Sequence, residues 1–175
     1  MKAFIWELIF LERKKNYLAT VLFYLVFCAI IFDLILTILS PWWLKVAYEK
    51  GYAEIFPMYD IRLWNTLPSG DYMYMLIFVI FCGIAISIAL FQGAKLLLNV
   101  KKGEPFKKEN AESLQTAAIC AFALSIIFAL KMFYTASMLT IISIILFGGG
   151  GLLLMVFSEL FREAAVIKEE NDLTI

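Results

Sequence analysis

Few side chains in this sequence are placed to do chemistry, and most of those that are lie inside long apolar runs. Asp33 and Lys131 interrupt two such runs. A charge at mid-helix in a membrane costs about 2.5 to 3.5 kcal/mol on insertion scales, so each needs a partner or an exit. Either the two form an intramembrane ion pair, or each snorkels separately to outer headgroups. Gln92 and Lys95 in the second run and Glu159 in the fourth make a candidate inner polar cluster, the alternative being solvated helix ends. Catalytic constellations are missing. The chain has no histidine, no GxSxG and no metal-ligand spacing, and the run Gly148 to Gly151 lacks the strand and lysine of a phosphate loop. Glu169 with Glu170, and Glu159 with Glu163, have the spacing of a wet helix face. A protein that is not an enzyme, with neither cofactor nor metal, is therefore expected. Cys28, Cys82 and Cys120 fall in apolar runs, where a thiol behaves as a small hydrophobe, so no disulfide framework is expected either.

The elements that must position these groups follow from composition. With 63% hydrophobic and only 17% charged residues, most of the chain has lipid as its solvent. Fifteen basic and fifteen acidic side chains cancel, which gives no footprint for direct nucleic-acid binding. Four runs reach the roughly 20 residues needed to span a bilayer, at about 17–39, 72–100, 117–134 and 139–161. Between them lie an outer loop at 40–71, a polar hinge at 101–116 and a tight connection through Thr135, Ala136 and Ser137; a polar tail occupies 162–175. The chain thus reads as a single domain over 1–175: an all-α, integral membrane four-helix bundle. The segment before Tyr17 is an interfacial helix or an inward extension of the first span, because Glu7 and the cluster at Glu12 to Lys15 do not suit a cleaved signal. Pro41 with Trp42 and Trp43 stops the first span, and a short amphipathic helix is expected at 44–56.

Basic residues near span ends set orientation. Lys2, Arg13, Lys14, Lys15, Lys95, Lys101, Lys102, Lys107, Lys108, Arg162 and Lys168 share one side; Lys45, Lys50, Arg62 and Lys131 hold the other. Both termini and the hinge are therefore placed in the cytoplasm. Small residues at helical spacing, among them Ala117, Ala121 and Ser125, Ala85, Ala89 and Gly93, and the glycine run, read as packing seams, with a flexible gate at the glycines as the alternative.

The hinge has legible local chemistry. Gly103 and Pro105 end the preceding helix, Phe106 can tuck back onto apolar surface, and a helix starting near Lys107 would gain from Glu109 in its first turn. Its lysines suit anionic lipid headgroups. Docking of the acidic tail on the basic hinge is a second expectation. The pattern GEPFKKEN after the second span, with KEENDLTI at the C-terminus of a four-span frame, resembles the bacterial domain of unknown function 2975 family over essentially the whole chain. Gly103, Pro105, Phe106, Glu109, Asn110, Glu163, Glu170, Asn171, Asp172, Leu173, Thr174 and Ile175 occupy the motif positions. The resemblance implies a small bacterial inner-membrane protein, often encoded beside a small helix-turn-helix regulator, with no established activity.

Two functions compete at this level. In one, Gly103, Pro105, Phe106, Glu109, Asn110, Glu170, Asn171 and Asp172 form a cytoplasmic surface that engages that regulator, in a regulatory or sensing anchor. In the other, Asp33, Lys131 and the outer loop serve a small-solute transporter or an immunity-type protein against a membrane-active peptide. Four helices leave little room for a channel, so a homodimer is expected beside the lipid bilayer itself.

Overall fold

The computed structural model describes the backbone of residues 2–50, 72–133 and 138–173, and side chains over 17–47, 72–133 and 138–171. Five helices lie among the described residues: α1 (Lys2–Ile38), α2 (Ser40–Lys50), α3 (Tyr72–Lys101), α4 (Lys108–Met132) and α5 (Met138–Leu173). No strand occurs among the described residues. Among the described residues four segments are long and apolar enough to cross a membrane: Tyr17–Ile38, Tyr72–Lys101, Lys108–Met132 and Met138–Asn171. In hydrocarbon every backbone N–H and C=O must be paired within the segment, which is why such runs become helices. Their many exposed Leu, Ile and Phe side chains are apolar surface that lipid would cover.

The helix ends are set locally. Pro41 has no N–H to continue α1, and the chain turns at Leu39, whose carbonyl accepts from the N–H groups of Trp42 and Trp43. The Trp43 indole N–H donates to the Leu36 carbonyl at 3.2 Å, giving that terminal oxygen a partner. The next helix therefore begins at Ser40, with Pro41 in its first turn, four residues earlier than expected. Its outer-loop continuation at 51–71, like the connection through Thr135 to Ser137, lies outside the described residues. The Tyr72 hydroxyl donates to the Pro41 carbonyl at 2.9 Å and ties the start of α3 to the start of α2. At its N-terminal side α1 is one continuous helix from Lys2, so that segment extends the first span rather than forming a separate helix.

The helices pack in chain order. The central helix α3 touches α1, α2 and α4; α4 touches α3 and, most extensively, α5. Among the described residues the backbone of α5 stays clear of α1 and α3, and that of α1 stays clear of α4. The bundle is thus open along one flank of α4. Its core is an aromatic ladder across three helices: Phe78 meets Phe128 edge-on at 5.3 Å, and Phe128 stacks on Phe147 at 5.6 Å, around Cys82, Ala85 and Leu124.

Small residues set the close approaches. An added Cβ at Gly151 would stand 3.3 Å from the Ala118 carbonyl and 3.2 Å from the Phe122 ring, and one at Gly148 would stand 3.2 Å from Ser125 Oγ. Gly149 and Gly150 meet nothing within 4 Å. The glycine run is continuous helix, so two of its members form a seam on α4 and no gate interrupts it. Hydroxyls fasten the same seam: Ser125 donates to the Ile144 carbonyl at 3.0 Å and buried Ser158 to the Ala111 carbonyl at 2.8 Å.

Candidate functional site

The hinge is shorter and more ordered than expected. Helix α3 ends by placing Gly103 at φ +81°, in the left-handed region that glycine enters without steric cost. The Glu104 N–H then donates to the Asn99 carbonyl and the Gly103 N–H to the Val100 carbonyl, the paired bonds of a Schellman cap. Helix α4 begins at Lys108, so much of the expected 101–116 hinge is its first turns. Lys107 before it is extended and offers no side-chain cap, and Glu109 lies in the first turn, where a carboxylate is favoured by the helix dipole.

What holds this turn is an amide clasp. Asn110 is 0% exposed. Its Oδ1 accepts from Asn99 Nδ2 at 2.7 Å, and its own Nδ2 donates to the Pro105 carbonyl at 2.7 Å and the Glu104 carbonyl at 3.2 Å. Both amide hydrogens and the oxygen are therefore satisfied, as burial of an amide requires. This corrects the expectation that Asn110 belongs to an exposed interaction surface; it lies beneath that surface and shapes it. Asn99 was missed by sequence reasoning. Its only signal is a carboxamide in the last turn of an apolar span, just before the Gly-Pro break.

The tail docks on the hinge. Lys108 Nζ pairs with Glu169 Oε2 at 2.7 Å, Phe106 packs on Phe161 with ring centroids 5.7 Å apart, and Arg162 bridges Glu159 on its own helix at 3.1 Å and Gln115 on α4 at 3.0 Å. Glu104 is held below the usual carboxylate range by the hydrogen bond from Lys107, and Lys107 is raised by the same bond. The contribution from Glu104 is present above the ordinary carboxylate pKa and lost as pH falls through its lowered value. That from Lys107 is lost as pH rises through its raised value. At neutral pH both are in place. Glu109, Glu170 and Asn171 lie on the exposed side of this surface; the side chain of Asp172 lies outside the described residues.

Lys108→Glu sets like charges against each other at Glu169. Stability should fall by less than about 1 kcal/mol, because the pair is exposed. Limited proteolysis should nevertheless cut the end of α5 faster than in the parent chain. Unchanged cleavage would mean that the apolar Phe106 and Phe161 contact alone seats the tail.

The intramembrane expectations need correction. Asp33 does not pair with Lys131; its Oδ2 accepts from the Ser87 hydroxyl at 2.6 Å. Lys131 is 7% exposed, with Nζ 5.0 Å from the centroid of the Phe78 ring, a cation–π contact. Phe78 and Ser87 are half a turn apart around α3 and about 13 Å apart along it. Asp33 on α1 and Lys131 on α4 therefore meet α3 on opposite faces. The inner cluster does not assemble either: Glu159 is engaged by Arg162 on α5, while Gln92 and Lys95 stand on α3, whose backbone α5 does not approach closely.

The geometry is that of a four-span membrane protein with a clasped, tail-bearing polar end. Among curated proteins and among solved structures, none matches this chain. A family model described only as a protein of unknown function, DUF2975, matches residues 11–175, nearly the full length, and the chain belongs to that family.

Proposed function

We propose that this protein is a non-catalytic regulatory or sensing anchor of the bacterial inner membrane, with both termini and the hinge in the cytoplasm, whose hinge and tail engage a small helix-turn-helix regulator. The observation that carries this reading is the hinge with its docked tail. A Schellman cap, a fully satisfied amide clasp and an ion pair to Glu169 present residues from α4 and α5 as one ordered polar surface. The basic residues near the span ends favour the cytoplasmic side for it. Exposed carboxylates at Glu109, Glu163 and Glu170 suit a basic partner, as a DNA-binding regulator would be. A transporter or immunity protein built on an Asp33 and Lys131 pair draws no support from two groups on opposite faces of α3.

The test is purification of the tagged membrane protein from its native cells, with mass-spectrometric identification of any small helix-turn-helix protein retained on it. Retention should fall about tenfold or more when Glu109→Lys and Glu170→Lys are combined, since opposed like charges are strongly unfavourable. No retention by the parent protein, or equal retention by the double variant, would sink the reading.

A further inference from the structure

One face of α3 turns away from the rest of the protein. Phe81, Ile84, Ile88, Phe91 and Leu98 recur along it at steps of three, four and seven, and all five are exposed. That spacing keeps side chains on a single stripe of a helix. In a spanning helix an exposed apolar stripe faces hydrocarbon. Lys95 falls on the same stripe, four residues after Phe91, and Lys102 follows seven residues later. The Lys102 N–H still donates to the Leu98 carbonyl at 3.1 Å, so the helical rotation persists to that point. The lipid-facing stripe of α3 thus ends in two lysines about 10.5 Å apart along the axis.

Nothing among the described residues neutralises these two charges. Lys107 is paired with Glu104 and Lys108 with Glu169, but neither Lys95 nor Lys102 has a hydrogen bond or an ion pair. Glu104 lies near enough to Lys102 to feel its charge, yet its hydrogen bond goes to Lys107. The helix dipole favours Lys101, in the last turn of α3, and fades within that turn, so it leaves Lys95 unexplained. Depth in the bilayer explains both. From Tyr72 to Lys95 is about 35 Å at 1.5 Å per residue, and a tilt of about 20° brings this close to the roughly 30 Å of a hydrocarbon core. With Tyr72 at one boundary, where interfacial aromatics sit, Lys95 stands at the other and Lys102 in the headgroup layer beyond it. Leu98, between them, is level with lipid phosphates, and two flexible four-carbon stems can converge there from either side. A soluble anion would have to desolvate against Phe91 and Leu98. A phospholipid instead lays an acyl chain on those residues and brings its phosphate to the lysines. A zwitterionic headgroup carries its own cation, so a net anionic one complements the pair better. We propose that Lys95 and Lys102 hold the phosphate of one anionic phospholipid in the hinge-side leaflet, with its acyl chain lying along Phe91 and Ile88.

The experiment is native mass spectrometry of the full-length protein, with phosphatidylglycerol and phosphatidylcholine of matched chains supplied together at equal concentration. The parent protein should prefer phosphatidylglycerol about twentyfold. Lys95→Gln and Lys102→Gln should each lower that preference about fivefold, and the two combined should bring it close to parity. Lys107→Gln with Lys108→Gln removes the same charge from the hinge, but from lysines already paired, and should leave the preference within about twofold. Lys95→Arg with Lys102→Arg keeps the charge and should keep the preference, which separates a lost phosphate partner from altered packing. Equal retention of the two lipids by the parent protein, an equal loss in both glutamine pairs, or a loss in the arginine pair would overturn the site. Displacement of the bound lipid by glycerophosphoglycerol, the same headgroup without acyl chains, would also overturn it and assign the lysines to a soluble phosphate ester.

Discussion

Asn110→Ala should lower the stability of the protein in detergent by about 2 to 4 kcal/mol, a large loss for a single polar residue. The residue is fully buried at the end of the bundle, and its amide serves three partners at once: Asn99 Nδ2 and the carbonyls of Glu104 and Pro105. Truncation leaves the buried Asn99 amide without its acceptor and removes the donor from two carbonyls. Those carbonyls belong to half-buried residues, so water recovers part of that loss, and Asn99 carries most of the rest. Asn99→Ala should cost less, about 1 to 2 kcal/mol, because Asn110 keeps its two donated bonds. Asn110→Asp is the informative variant. It is nearly isosteric and keeps the acceptor for Asn99, yet it turns a carboxylate oxygen toward two carbonyl oxygens and should be at least as damaging as alanine. Denaturant unfolding followed by circular dichroism measures all three. Limited proteolysis at 102–107 reports whether the turn has opened. If aspartate were tolerated, the two carbonyl bonds would not matter and the clasp would reduce to a contact between two amides.

Near the middle of α3, Gly83→Ala should destabilise the fold by about 1 to 3 kcal/mol, the usual range for overpacking. An added Cβ there would overlap the Thr37 side chain of α1, with its hydroxyl oxygen and methyl both in the way. One turn along the same seam Asp33 accepts from Ser87, so parting the helices at Gly83 also strains that bond. Association in lipid depends on close packing and interhelical hydrogen bonds rather than on expulsion of water, and the variant loses both. Combining Gly83→Ala with Thr37→Ala should restore most of the loss, because the second change removes the two nearest atoms, the hydroxyl oxygen and the methyl, and leaves only Cβ at 3.0 Å. A double-mutant cycle read by thermal unfolding in micelles should give a coupling of about 1 kcal/mol or more. Additive effects would mean that the helices separate for another reason.

Much of the clasped end was legible residue by residue. Gly103 as a helix stop, Phe106 folding back onto apolar surface and a helix starting beside Lys107 all rest on chemistry within a few positions of each residue. The structure shows each of them, in the Schellman cap, the Phe161 contact and the start of α4 at Lys108. The tail was expected to meet the hinge on charge alone, and Lys108 with Glu169 supplies the pair. Asn110 was assigned to the wrong side of that surface for a simple reason. An asparagine among charged residues has the same local pattern whether it caps, faces water or is buried against a second amide. Only Asn99, eleven residues earlier and across a turn, distinguishes the three.

Asp33 and Lys131 show the same limit more sharply. Counted along their own helices the two charges were expected at similar depth, yet their contacts on α3, Ser87 and Phe78, lie about 13 Å apart along it. Contact also needs rotation about the helix axis and the identity of the neighbour, and α3 stands between them with Ser87 on one face and Phe78 on the other. The small residues divide likewise. Gly83, Gly148 and Gly151 bring helices together, whereas Gly93 and Gly150, indistinguishable from them in the sequence, line an open groove.

The sequence by itself determined that this is an all-α membrane protein with four spans. Burying long apolar runs in lipid, pairing every backbone group and ending helices at proline and glycine are decided within each segment. The tertiary structure alone decided which polar side chains meet, which glycines are seams, and that the flank of α4 stays open above Ser113. Each of these depends on the register and rotation of one helix against another. In lipid that is settled by close packing of small residues and a few hydrogen bonds, which no single segment contains.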